Sequence, residues 1–104
     1  MDTIEFRYDT QLLLDVYVTD GQDPDDVADE LRDQIIEYIE ANIVGDSMAI
    51  AASSDEDQFG EKANIKLHYP TNEPWQVLEY ARSLGEIYDI VVEDMDRQSR
   101  DLQG

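Results

Sequence analysis

Residues 23–45, DPDDVADELRDQIIEYIEANIVG, admit one local structure. Asp23 stands where an N-cap accepts a backbone N–H, Pro24 fits the first helical position, where its missing N–H is no loss, and Asp25 and Asp26 place negative charge at the positive end of the helix dipole. Gly45 offers a left-handed stop. Between these signals Val27, Leu31, Ile35, Tyr38, Ile39 and Asn42 recur at three- and four-residue steps and wind into one stripe that needs a core to cover it. At about 100° per residue, the acids Asp25, Asp26, Asp29, Glu30, Asp33, Glu37 and Glu40 fall inside an arc of about 140° on the opposite side. Arg32 is the one base on this helix and lies outside that arc. A helix apolar on one side and acidic on the other belongs on the outside of a layered domain.

The whole chain shares this acidity. Its 104 residues are read as a single domain, 1–104, with one core, and a hydrophobic content of 41% suffices for a packed interior. The 26 Asp and Glu against 7 Lys and Arg give a net charge of −19, which repels nucleic acid and anionic membranes and attracts basic protein surfaces. With no cysteine, a disulfide frame and a thiolate metal site are excluded. No apolar run approaches the length of a spanning helix, and the start MDTIEFRYD has neither the basic head nor the apolar middle of a signal peptide, so a cytoplasmic protein is expected.

Residues 3–8 alternate Ile4, Phe6 and Tyr8 against Glu5 and Arg7, and residues 12–19 alternate again, which predicts a hairpin turning at Asp9 and Thr10; one long bulged strand is the alternative. Residues 48–52 and 63–69 are two further strands, joined by a polar, solvated loop over 53–62. Pro70 is expected to stop the last of these, and Thr71 or Asn72 to cap a second helix entered through Glu73 and Pro74. Beyond it, periodicity supports two readings. Val77, Ala81, Leu84, Tyr88, Val91 and Met95 form one stripe of a long helix, giving ββαββα; alternatively the helix ends near Gly85 and residues 87–93, with Ile90, Val91 and Val92, form a strand, giving a ferredoxin-like βαββαβ order. The helix is preferred because residues 94–102 keep helical character. Either order is an α+β fold with a mainly antiparallel sheet and two helices on one face.

Chemistry-bearing motifs do not emerge. G-x-S-x-G, a phosphate-binding glycine loop and the dinucleotide fingerprint do not occur. An EF-hand loop started at Asp55 fails at Phe59 and at Lys66, where ligands are required. His68, the single histidine, alternates with Lys66 away from Ile65 and Leu67 and reads as an exposed bystander. Asp15 and Asp89, each between apolar neighbours, read as outward-facing strand positions. No enzyme activity, metal or cofactor is expected. Trp75, Tyr80 and Tyr88 read as core. Phe59, at the tip of the acidic loop beside Asp55, Glu56 and Asp57, has no evident core to join and reads either as an exposed anchor for a partner or, equally, as a ring folded back over the sheet.

Function at this level follows from charge. The seven acids of the first helix span about 22 Å, one per about 3 Å of axis, close to the 3.4 Å between phosphates of one DNA strand. In size and charge the chain is similar to the small acidic anti-restriction and anti-CRISPR inhibitors of phages and plasmids. That likeness implies a nucleic-acid mimic occupying the basic groove of a nucleic-acid-binding protein, with the helix acids, Asp55, Glu56, Asp57 and Phe59 as the contact residues. A domain adapted to molar salt, suggested by 16 Asp against 10 Glu and by lysine reduced to Lys62 and Lys66, and an immunity or antitoxin module are the alternatives.

Overall fold

The computed structural model describes residues 6–95. Six elements follow in the order β1 (Tyr8–Tyr17), α1 (Pro24–Asn42), β2 (Ala49–Asp57), β3 (Gly60–Thr71), α2 (Pro74–Leu84) and β4 (Glu86–Asp94). The strands form one antiparallel sheet in the order β2-β3-β1-β4. This is the ferredoxin-like split βαβ arrangement. The α+β class holds, as does the antiparallel sheet with both helices on one face, α1 against β2 and β3 and α2 against β1 and β4. The preferred ββαββα order does not.

Two local misreadings account for that difference. Asp9 and Thr10 do not turn: β1 pairs with β3 without interruption from Tyr8↔Thr71 to Tyr17↔Lys62, Thr10 is buried, and Asp9 meets His68. Of the expected strand over 3–8, residues 3–5 lie outside the described residues, and of 6–8 only Tyr8 is in a strand, as the first residue of β1. At the other end, α2 stops at Leu84 because Gly85 packs on β1, where a Cβ would collide with the Asp15 carbonyl and the Val16 side chain. The chain then enters β4, whose ladder with β1 replaces the helical bonds that residues 86–94 would have made. The helical character read over 94–102 falls almost entirely outside the described residues.

The first helix starts as its sequence predicts, with Asp23 extended and its carboxylate accepting from the Asp25 N–H at 2.9 Å. Its end differs. Ile43 is extended, Asn42 Nδ2 donates to the Tyr38 carbonyl at 2.8 Å, and Gly45 has no left-handed conformation. Gly45 is needed for close approach instead, since a Cβ there would enter the Tyr69 ring. Tyr69 Oη donates to the Ile43 carbonyl and Thr71 Oγ1 to the Val44 carbonyl, both at 2.7 Å, which fastens the exit of α1 to the end of β3. Pro70 does not stop β3: it lies beyond the β2 ladder, beside residues 45–46, where the Asp46 N–H donates to the Pro70 carbonyl at 2.9 Å and the N–H that proline lacks is not called on. Glu73 is the N-cap of α2 but makes no side-chain cap; Thr71 Oγ1 accepts from the Glu73 N–H, and Asn72 accepts from Arg7 N.

Strand alternation sorts the sheet residues into two layers. Leu12 and Leu14 of β1 and Ile65, Leu67 and Tyr69 of β3 turn toward the helices, where Leu31, Ile35, Ile39, Ile43, Val77 and Ala81 cover them. Complete burial of one such side chain, Ile39 for example, is worth about 1.5–3 kcal/mol. The odd-numbered residues of β1 and the even-numbered ones of β3 face away from the helices, onto a surface where polar and charged side chains meet. In β4 a bulge resets the alternation: Gln11 faces Val91 and Leu13 faces Tyr88, so Asp89 and Ile90 together oppose Leu12. Asp89, read as an ordinary outward position, has φ 50° at this bulge, a conformation that aspartate tolerates better than most residues.

Candidate functional site

Charge is gathered in two places, and they differ in kind. On α1, Asp25, Asp26, Asp29, Glu30, Asp33, Glu37 and Glu40 are all exposed, while Ala28, Leu31, Ile35 and Ile39 of the same helix are buried. The acidic face read from the sequence therefore exists as a solvent-facing row. Arg32 reaches into it, 3.8 Å from Asp29 and 3.5 Å from Asp33, long exposed contacts that offset little of the charge.

The second place is the uncovered face of the sheet. Asp15, which the sequence suggested was solvated, is only 7% exposed. Its carboxylate accepts from Lys62 Nζ at 2.8 Å, from Asn64 Nδ2 at 2.6 Å and from Tyr88 Oη at 3.0 Å. Lys62 also lies 3.4 Å from Asp57, whose carboxylate accepts from Tyr17 Oη. Burial opposes the charge of Asp15, but the hydrogen bonds from Lys62, Asn64 and Tyr88 together outweigh it and hold the carboxyl below its usual range. The bond from Tyr17, followed by that from the Phe59 N–H, lowers Asp57 likewise. The bond to Asp15 raises the Lys62 ammonium against the opposing effect of its desolvation, so this lysine is a fixed cation rather than a nucleophile or base. The network is closed on itself. Sequence reading missed it because it depends on register: Asp15 and Asn64 are cross-strand partners, 49 residues apart.

The structure separates the contact residues predicted from sequence. The loop expected over 53–62 is mostly strand, leaving Gln58 and Phe59 as the turn between Asp57 and Gly60. By alternation Asp55 and Asp57 lie on the uncovered sheet face, opposite to α1, and Glu56 on the helix side. Phe59 is 76% exposed, as its anchor reading requires. Trp75, read as core, is 56% exposed with its ring edge-on to Tyr8; Tyr80 is half-buried and stacked on Tyr38 at 3.7 Å; Tyr88 sits in β4, facing away from the helices. His68 is half-exposed, with its Nε2 against the Asp9 carboxylate. Among the described residues, no cluster of three or more His, Asp or Glu side chains is placed to hold a metal, and no helix is long and apolar enough to cross a membrane.

Fold and surfaces define a small split-βαβ domain with one acidic helical face and one self-satisfied sheet face. The chain belongs to the family of FakA-like middle domains, a fatty acid kinase subunit domain, whose model it matches over residues 5–102. Comparison with curated proteins and with solved structures gives no match. The family overturns the expectation of a phage or plasmid anti-defence inhibitor that mimics nucleic acid, and the nucleic-acid-binding partner inferred with it. The agreement between carboxylate and phosphate spacing reflects only the charge density that any acid-rich helix face attains.

Proposed function

We propose that this chain is a docking domain of a FakA-like fatty acid kinase protein, supplying no catalytic group itself and meeting a basic protein surface through the outer face of α1. The match over residues 5–102 to the middle domain of such a kinase protein carries this reading. Support for the choice of surface comes from the row Asp25, Asp26, Asp29, Glu30, Asp33, Glu37 and Glu40, exposed throughout and answered within the helix only by Arg32. Such a surface accelerates encounter with a positive partner and rejects negative ones.

The test combines binding with activity. Retention of a protein partner by the immobilised chain should weaken with salt and fall about 100-fold when Asp29, Asp33 and Glu37 are all changed to lysine, because three attractive contacts become repulsive. The isolated chain, given ATP and a fatty acid, should form no acyl phosphate. Product formation by the isolated chain would contradict the non-catalytic reading, and binding indifferent to the triple change would remove α1 as the surface.

A further inference from the structure

We propose that the tip of the β2–β3 hairpin is a second, preorganised contact, in which Phe59 inserts into an apolar pocket of a partner protein edged by lysine or arginine. The inference rests on the docking reading but names a different surface. Phe59 projects from a two-residue turn held on both sides: the ladder is complete to Asp57↔Gly60, and on the β1 side Tyr17 pairs with Lys62 while the Val18 N–H donates to the Glu61 carbonyl at 3.1 Å. Asp57 fixes the tip itself. One of its oxygens accepts from the Phe59 N–H at 2.8 Å, and the other takes Tyr17 Oη and lies 3.4 Å from Lys62, which ties the turn to the Asp15 network.

An aromatic ring 76% exposed on so braced a turn loses little conformational freedom on binding, the condition under which one buried aromatic dominates an interface. Tyr17, 41% exposed, reaches the same end of the sheet, where its hydroxyl donates to Asp57. The rim sets the partner's charge. Asp55, Glu56 and Glu61 lie two to four residues from Phe59 along the hairpin and are exposed, so a pocket that accepts Phe59 must meet carboxylates around it. A second copy of the chain, also at −19, is disfavoured as occupant by repulsion.

Replacing Phe59 with the photocrosslinker p-benzoylphenylalanine in the producing cells tests this. The expected product is a crosslink to a different protein, at an apolar residue with Lys or Arg nearby. Against that protein, purified, Phe59→Ala should weaken binding at least tenfold and Phe59→Trp should retain it, while Asp55→Lys with Glu56→Lys should slow association. The amide order parameter of Phe59 should match that of the strands, about 0.85. A crosslink to a second copy, no crosslink, an order parameter below about 0.6, or equal binding by Phe59→Ala would each overturn the hairpin contact. The Asp29, Asp33 and Glu37 lysine variant separates the two surfaces: a partner lost by that variant but indifferent to Phe59→Ala leaves the docking reading standing, and no protein partner for any form removes both.

Discussion

The outer face of α1 and the uncovered face of the sheet are both rich in charge, yet they answer opposite physical demands. On the sheet, Asp15 and Lys62 are nearly withdrawn from water, with side chains 8% and 13% exposed, and each is satisfied by named partners within the domain. On α1 the carboxylates stay in water, and beyond Arg32 the helix itself supplies no cation to meet them. The first arrangement spends its interactions on fixing strand register; the second leaves them directed outward. Charge density alone therefore does not mark a docking surface. What sets the α1 face apart is charge that, among the described residues, only Arg32 is seen to meet.

Removing a member of the closed network should have the larger effect on stability. Asp15→Ala leaves the Lys62 ammonium, the Asn64 amide and the Tyr88 hydroxyl without their shared acceptor, and should lower unfolding free energy by about 2 kcal/mol. That is less than for a fully enclosed pair, because Lys62 can still turn to Asp57. Thermal unfolding should drop by roughly 10 °C.

Acid should act on the same region. The folded state holds the Asp15 carboxyl below 3.8, so its contribution is complete above that unfolded value and is lost as pH falls through the lower folded one. Urea midpoints measured from pH 6 down to 2.5 should decline below about pH 4, and the Asp15→Ala chain should show a shallower decline over that window. An equal decline would mean that Asp15 is not held as its hydrogen bonds imply.

Salt should act mainly on the open charges. As KCl rises from 0.05 to 0.3 M the Debye length falls below about 8 Å, so repulsion along α1 is screened and the urea midpoint should rise and then level off. The smallest stability effect is expected for the α1 charge reversals. Asp29→Lys, Asp33→Lys and Glu37→Lys should each change stability by no more than about 0.5 kcal/mol, and together they should flatten the salt response.

How far these regions could be read from sequence follows from their geometry. The acidic arc of α1 and its Asp23 cap were legible, because both are local to one helix, whereas the stop at Gly45 was not and the stripe members Tyr38 and Asn42 remain exposed. For Phe59 the sequence left exposure and folding over the sheet equally open, and its loop proved to be a turn of two residues, since strand alternation in Ser53, Ser54, Asp55 and Glu56 is concealed when both sides are polar. The Asp15 network was not legible. Its members come from β1, β3 and β4, and only the pairing of Asp15 with Asn64, together with the register Asp15↔Glu86 and Leu13↔Tyr88 that puts Tyr88 on the same side as Asp15, brings them together. The element order failed at Gly85 for a related reason: a glycine in a helical stripe costs only about 1 kcal/mol, so sequence could not weigh it against a collision with the Asp15 carbonyl that arises only in the folded sheet.

The most direct test of the distinction between closed and open charge is to measure urea midpoint and partner affinity side by side for Asp15→Ala and for the chain with Asp29, Asp33 and Glu37 changed to lysine. A double dissociation is expected. Asp15→Ala should lose stability and, under conditions where it remains folded, bind as the parent chain does, whereas the α1 variant should keep its fold and lose affinity about 100-fold. An α1 variant that binds its partner as tightly as the parent chain would contradict the claim.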